Sequence, residues 1–77
     1  MNTVKEEYIK YLNREYEDTK RAINHPMFSR KKLVNNAINR CLGVAFFVQY
    51  LGVPFKFSNR YYEETKAKLE ELRDSET

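Results

Sequence analysis

A chain of 77 residues, 32% charged and 42% hydrophobic, with two glycines and two prolines, is one small folded domain, not a collagen-like, low-complexity or linker-rich chain. At this length a single core supplies roughly 3–5 kcal/mol, so recruitment of a partner subunit is expected. One cysteine excludes an internal disulfide, and no signal-peptide pattern or apolar run of about 18 residues is present, so the chain is expected in the cytoplasm, away from membranes.

Thr3 and Glu6 have the spacing of a capping box, and Val4, Tyr8, Leu12, Tyr16, Thr19 and Ile23 then recur at three- and four-residue steps. This predicts a first helix over roughly 3–23. Its solvent side mixes charges at pairing distance, as in Glu6 with Lys10 and Asp18 with Arg21, each pair worth about 0.2–0.5 kcal/mol. Asn24, His25 and Pro26 break the pattern, because Asn tolerates the left-handed conformation and Pro26 drives His25 out of the helical region. Met27 and Phe28 are expected to turn inward, and so short a connection lays the next helix antiparallel to the first.

The second helix, roughly 29–51, organises the chain. Ser29 is its N-cap, Phe28 and Leu33 stand at the positions of a hydrophobic staple, and Gly52 followed by Pro54 stops it. At about 100° per residue, Val34, Ala37, Ile38, Cys41, Ala45 and Val48 share one face, with Leu33, Leu42, Val44 and Leu51 at its margins. The opposite face begins polar, with Asn35, Asn36, Asn39 and Arg40, and continues as Gly43, Phe46, Phe47 and Tyr50. A solvent face thus becomes aromatic halfway along.

The segment Gly52 to Asn59 reads as a turn whose Val53, Phe55 and Phe57 fold back over the core. A third helix over roughly 59–73 follows, capped by Asn59 with Ser58 as the rival, and buries Tyr62, Thr65, Leu69 and Leu72 beside Tyr61. Its stripe is thin, so it is expected to be the least stable helix, with residues 74–77 frayed. The expected fold is all-α: a three-helix antiparallel bundle spanning 1–77 with the second helix in the middle, paired as a dimer.

The charges are unevenly placed. Between Asp18 and Glu63 there is no acidic residue, while Lys20, Arg21, Arg30, Lys31, Lys32, Arg40, Lys56 and Arg60 lie in that interval. The acids of the third helix, Glu63, Glu64, Glu70 and Glu71, are expected to lie near this basic middle and orient the bundle. A functional alternative is polyanion contact at Arg30, Lys31, Lys32, Asn36 and Arg40, since clustered cations attract phosphate and Asn and Arg can read base edges. Against it, Arg30, Lys31 and Lys32 occupy a first helical turn, where the macrodipole disfavours cations.

Chemistry is absent from the motifs. His25 and Cys41 are the single histidine and cysteine, too few for a zinc set, and Cys41 sits mid-stripe where a thiol is inert packing. The carboxylate pairs Glu6–Glu7, Glu63–Glu64 and Glu70–Glu71 are adjacent on helices and point apart. No glycine-rich phosphate loop occurs, so neither enzyme activity nor a cofactor is expected. Helical spacing puts most of the tyrosines at the core edge, with Tyr11 and Tyr50 the exposed ones. That leaves Gly43, Phe46, Phe47 and Tyr50, which are either covered by Val53, Phe55 and Phe57 or form an interaction surface, with Gly43 allowing close approach of another helix. The reading is a non-enzymatic accessory or regulatory protein that binds other proteins and itself, as a two-fold dimer with its axis near Gly43; nucleic-acid binding by the basic half of the second helix is the alternative.

Overall fold

The computed structural model describes residues 3–75. Thr3 Oγ1 accepts from the Glu6 amide at 3.2 Å and opens α1 (Val4–Ala22). Glu6 and Glu7 in its first turn and Lys20 and Arg21 in its last complement the helix dipole. The helix ends by tightening: the amides of Asn24 and His25 donate to the carbonyls of Arg21 and Ala22, three residues back. Asn24 does not use its left-handed option, since the described residues outside glycine all keep negative φ.

Met27 and Phe28 do not turn inward. Both are exposed, and Phe28 lies against the His25 ring at 5.0 Å between centroids. The bonds Phe28 N–H to His25 C=O and Met27 N–H to His25 Nδ1 close a tight local turn that holds these side chains outside the bundle. Ser29 then caps α2 (Arg30–Tyr50), its Oγ accepting from the Lys32 amide.

The end of α2 is a Schellman motif. Gly52, at φ 105°, sends its amide to Gln49 C=O, and the Val53 amide reaches Val48 C=O at 2.9 Å. Glycine is required there because a Cβ would strain a positive φ. Val53 is thereby turned into the core beside Val48.

The third helix, α3 (Phe55–Asp74), starts four residues before the expected Asn59. Pro54 occupies its N-cap, where a missing N–H costs nothing, and neither Asn59 nor Ser58 caps it. Ser58 is fully buried, with its hydroxyl donating back to Phe55 C=O, so the buried stripe is Ser58, Tyr62, Thr65 and Leu69 with Leu72 at its edge. A serine acting as a small core residue is what lengthens the helix. The helix also runs on through Asp74, past the expected end at residue 73.

The three helices pack pairwise as an antiparallel up-down-up bundle, with contacts between every pair. Arg30 and Asn35 near the start of α2 meet Leu72 and Arg73 near the end of α3. Tyr8 and Tyr16 of α1 meet Ser58 and Lys68 of α3 in parallel order. The core is Tyr8 and Leu12 from α1, the predicted stripe Val34, Ala37, Ile38, Cys41, Ala45 and Val48 from α2, Val53, and Tyr62 and Leu69 from α3. The bundle's Cα extents are 40 × 21 × 15 Å, and its shortest axis is two packed helices deep, since helix axes lie about 8–10 Å apart and each Cα cylinder is about 4.6 Å across. Each helix keeps an uncovered side.

The buried Tyr8 hydroxyl donates to Ser58 C=O at 2.6 Å, joining α1 to the first turn of α3. Burial pushes its pKa up to about 12, and does the same for the fully buried Cys41 thiol. Tyr8→Phe removes the donor while keeping the ring, and is expected to cost about 1–2 kcal/mol in chemical denaturation. The sign with pH is set by the raised value: the stabilisation is complete below the ordinary tyrosine pKa of 10 and is lost as pH rises towards 12. The difference between wild type and Tyr8→Phe should therefore shrink in alkali.

Candidate protein-interaction face

The second half of α2 presents Phe46 at 61% exposure, Phe47 at 59% and Tyr50 at 88%. None of the three residues expected to cover them does so. Val53 is consumed by the core, Phe57 lies tilted against Tyr61 at 4.8 Å between ring centroids with the Lys5 ammonium over its ring, and Phe55 is itself 60% exposed. The early start of α3 is the reason: Phe57 lies in the first turn of the helix, where it packs at the edge of the core beside Tyr61 instead of reaching back over α2.

Gly43 lies in the same uncovered surface, and a Cβ built there meets nothing within 4 Å. A helix-interior glycine is destabilising by roughly 0.5–1 kcal/mol relative to alanine. Among the described residues no neighbour offsets that cost, which makes Gly43 unexplained by the fold of one copy.

Beside the aromatic residues runs an apolar groove of about 470 Å³ between the start of α1 and the end of α2. Its walls are Val4, Tyr8 and Tyr11 on one side and Val44, Phe47, Val48 and Leu51 on the other. On the α2 wall, Val44 and Leu51 are the margin residues of the periodicity, Val48 belongs to the stripe and Phe47 to the opposite face. The α1 wall needs the pairing of the two helices.

The basic residues separate into two groups. Arg40 makes a two-pronged ion pair with Glu15, Nε to Oε2 at 2.8 Å and Nη2 to Oε1 at 3.0 Å, and Tyr11 O–H donates to the same carboxylate at 2.6 Å. Tyr11 is therefore half-buried, not exposed as its position suggested. Arg40 beside Glu15 holds that carboxyl below its usual range, while burial and the bond to Glu15 raise Tyr11 to about 12.

Arg30 reaches across to α3 and donates to the carbonyls of Leu72 and Ser75. A cation misplaced against the dipole of its own helix thus meets the negative end of another, where the dipole favours it. Arg73 returns the contact by donating to Asn35 Oδ1 at 2.9 Å. Lys31, Lys32 and Asn36 stay exposed. Among the described residues the acids of α3 pair within their own helix, Glu64 with Arg60, which belongs to the basic interval, and Glu70 with Arg73, while the ties between α2 and α3 are made by Arg30 and Arg73.

Fold and surface together define a small all-α three-helix bundle with an uncovered aromatic face on its middle helix. No protein-family model matches the chain, and neither a curated protein nor a solved structure matches it.

Two measurements probe the polar framework. Glu15→Gln should destabilise the protein by about 1 kcal/mol near neutral pH, the value of a partly exposed two-pronged pair. Because the folded pKa of Glu15 is depressed, its stabilisation is complete above the ordinary carboxylate value and is lost as pH falls through the folded one. The gap between wild type and variant should close in acid. Arg30→Gln should cost about 1–2 kcal/mol and speed amide exchange in the last turn of α3, whereas Lys31→Gln with Lys32→Gln should stay within about 0.5 kcal/mol of wild type.

Proposed function

We propose that the chain is a non-enzymatic binding protein of accessory or regulatory type, which acts through the aromatic face of α2 by self-association and by contact with other proteins. The observation that carries this reading is the exposure of Phe46, Phe47 and Tyr50 around a glycine with open space above it. Clustered aromatic groups on a surface are enriched at protein contacts, where their removal from water is the largest favourable term. The size of the chain favours it as well, because a small core gains most from a partner subunit.

The polyanion reading is weakened by the positions of its arginines, since Arg30 and Arg40 are committed to α3 carbonyls and to Glu15. Lys31, Lys32 and Asn36 remain as a modest basic surface. Among the described residues no helix is long and apolar enough to cross a membrane.

Light scattering coupled to size exclusion tests the proposal. Wild-type protein is expected to run as a dimer with a melting temperature that rises with concentration. Replacing Phe46 and Phe47 together with serine should give a folded monomer whose melting temperature is lower and independent of concentration. A wild type that is monomeric at about 100 μM, or a dimer untouched by the double substitution, removes the self-association reading.

A further inference from the structure

We infer that the occupant of this face is a second copy of the chain whose α2 crosses antiparallel to the first, about a two-fold axis level with Phe46 and Phe47, so that each Tyr50 seats over the partner's Gly43. The inference rests on the self-association reading above and specifies its geometry.

The register comes from the order of residues. Phe46 and Phe47 are adjacent, and three residues outward on one side stands Gly43, three residues outward on the other Tyr50. In an antiparallel pair centred between the two phenylalanines, Gly43 and Tyr50 are therefore opposite each other. A two-fold axis makes that contact twice. Gly43 and Tyr50 share one line along the helix, with Phe46 and Phe47 on either side of it, so each phenylalanine meets its own counterpart across the axis. The three- and four-residue steps from Gly43 to Tyr50 are those of a helix-pairing seam.

This arrangement explains both anomalies of the isolated chain. Tyr50 is the most exposed aromatic residue, and Gly43 has open space where a side chain would stand. One supplies the knob and the other the hole. An axis placed at Gly43 itself would instead set Tyr50 against Asn36 and the phenylalanines against Asn39 and Arg40, burying amides on aromatic rings and leaving the glycine unused. In a parallel pair Tyr50 would face Tyr50 and hold the helices apart two turns from Gly43, leaving the two glycines opposed across a void.

The area is adequate. With aromatic side chains contributing roughly 200 Å² each, the exposed parts of Phe46, Phe47 and Tyr50 amount to about 400 Å², and the half-exposed Leu51 and the partly exposed Leu42 bring the total to roughly 500 Å² per copy. A standard specific interface covers roughly 800 Å² per partner, of which about 450–520 Å² is apolar, so this patch matches the apolar part of one.

Gly43→Leu tests the seat. A Cβ at Gly43 meets nothing within 4 Å on this exposed face of the isolated chain, and leucine is the better helix former. Circular dichroism should be unchanged while dimerisation weakens at least about ten-fold, an effect of filling the hole. Engineered cysteines test the register, because the native Cys41 is fully buried and does not compete. Mixing Gly43→Cys with Tyr50→Cys chains should give a disulfide-linked heterodimer that retains the second Tyr50–Gly43 contact. Each variant alone should fail to cross-link, its two engineered positions being about seven residues, or roughly 10 Å, apart along the pair. A dimer abolished by serine at Phe46 and Phe47 but cross-linking in each variant alone overturns the register and leaves the proposed function standing. A monomeric wild type overturns both.

Discussion

Everything in this bundle follows from the small side chains of the α2 stripe. Ala37, Cys41 and Ala45 occupy its centre and are almost wholly buried, so α1 and α3 can both approach α2 closely and also touch each other. The bulk that fills the core comes from the outer helices, as Tyr8 and Leu12 on one side and Tyr62 and Leu69 on the other. Large residues in the stripe would hold the outer helices apart. With small ones, α1 and α3 close over one face of α2 and are too near each other to wrap its opposite face.

That closure is pinned by polar contacts at each seam. Tyr8 joins α1 to α3 through Ser58, Arg40 joins α2 to α1 through Glu15, and Arg30 and Arg73 join α2 to α3 at the far end. The cation–π contacts of Lys68 with Tyr16 and Lys5 with Phe57 lie along the α1–α3 seam. Cations that look surplus when counted along the chain thus act as ties between helices. The same geometry that commits Arg30 and Arg40 inward leaves the aromatic end of α2 as the distinctive surface.

The stability of the outward face and that of the core draw on different parts of the chain. A glycine in mid-helix and three exposed aromatic rings are unfavourable features for an isolated monomer, and the fold of one copy does nothing to offset them. Their concentration within two turns of one helix is the physical basis of the self-association reading.

Local chemistry was readable from the residues. The Thr3 and Ser29 caps, the Gly52 stop, the α2 stripe with Cys41 inside it and the aromatic character of the opposite face are all present as expected, because each depends on neighbours within a turn or two. The start of α3 was not readable, because Ser58 and Asn59 resemble caps until Tyr8 and the tight α2 stripe call for a small buried residue at 58. Met27 and Phe28 misled for the same reason: hydrophobicity promises burial, but only the packed bundle shows that no space is left for them. The partners of Arg30 and Arg40, forty-two and twenty-five residues away in the chain, likewise depend on which helix faces which. So does the uncovered state of Phe46, Phe47 and Tyr50, which periodicity could place on one side of a helix but only the approach of α1 to α3 could leave in solvent.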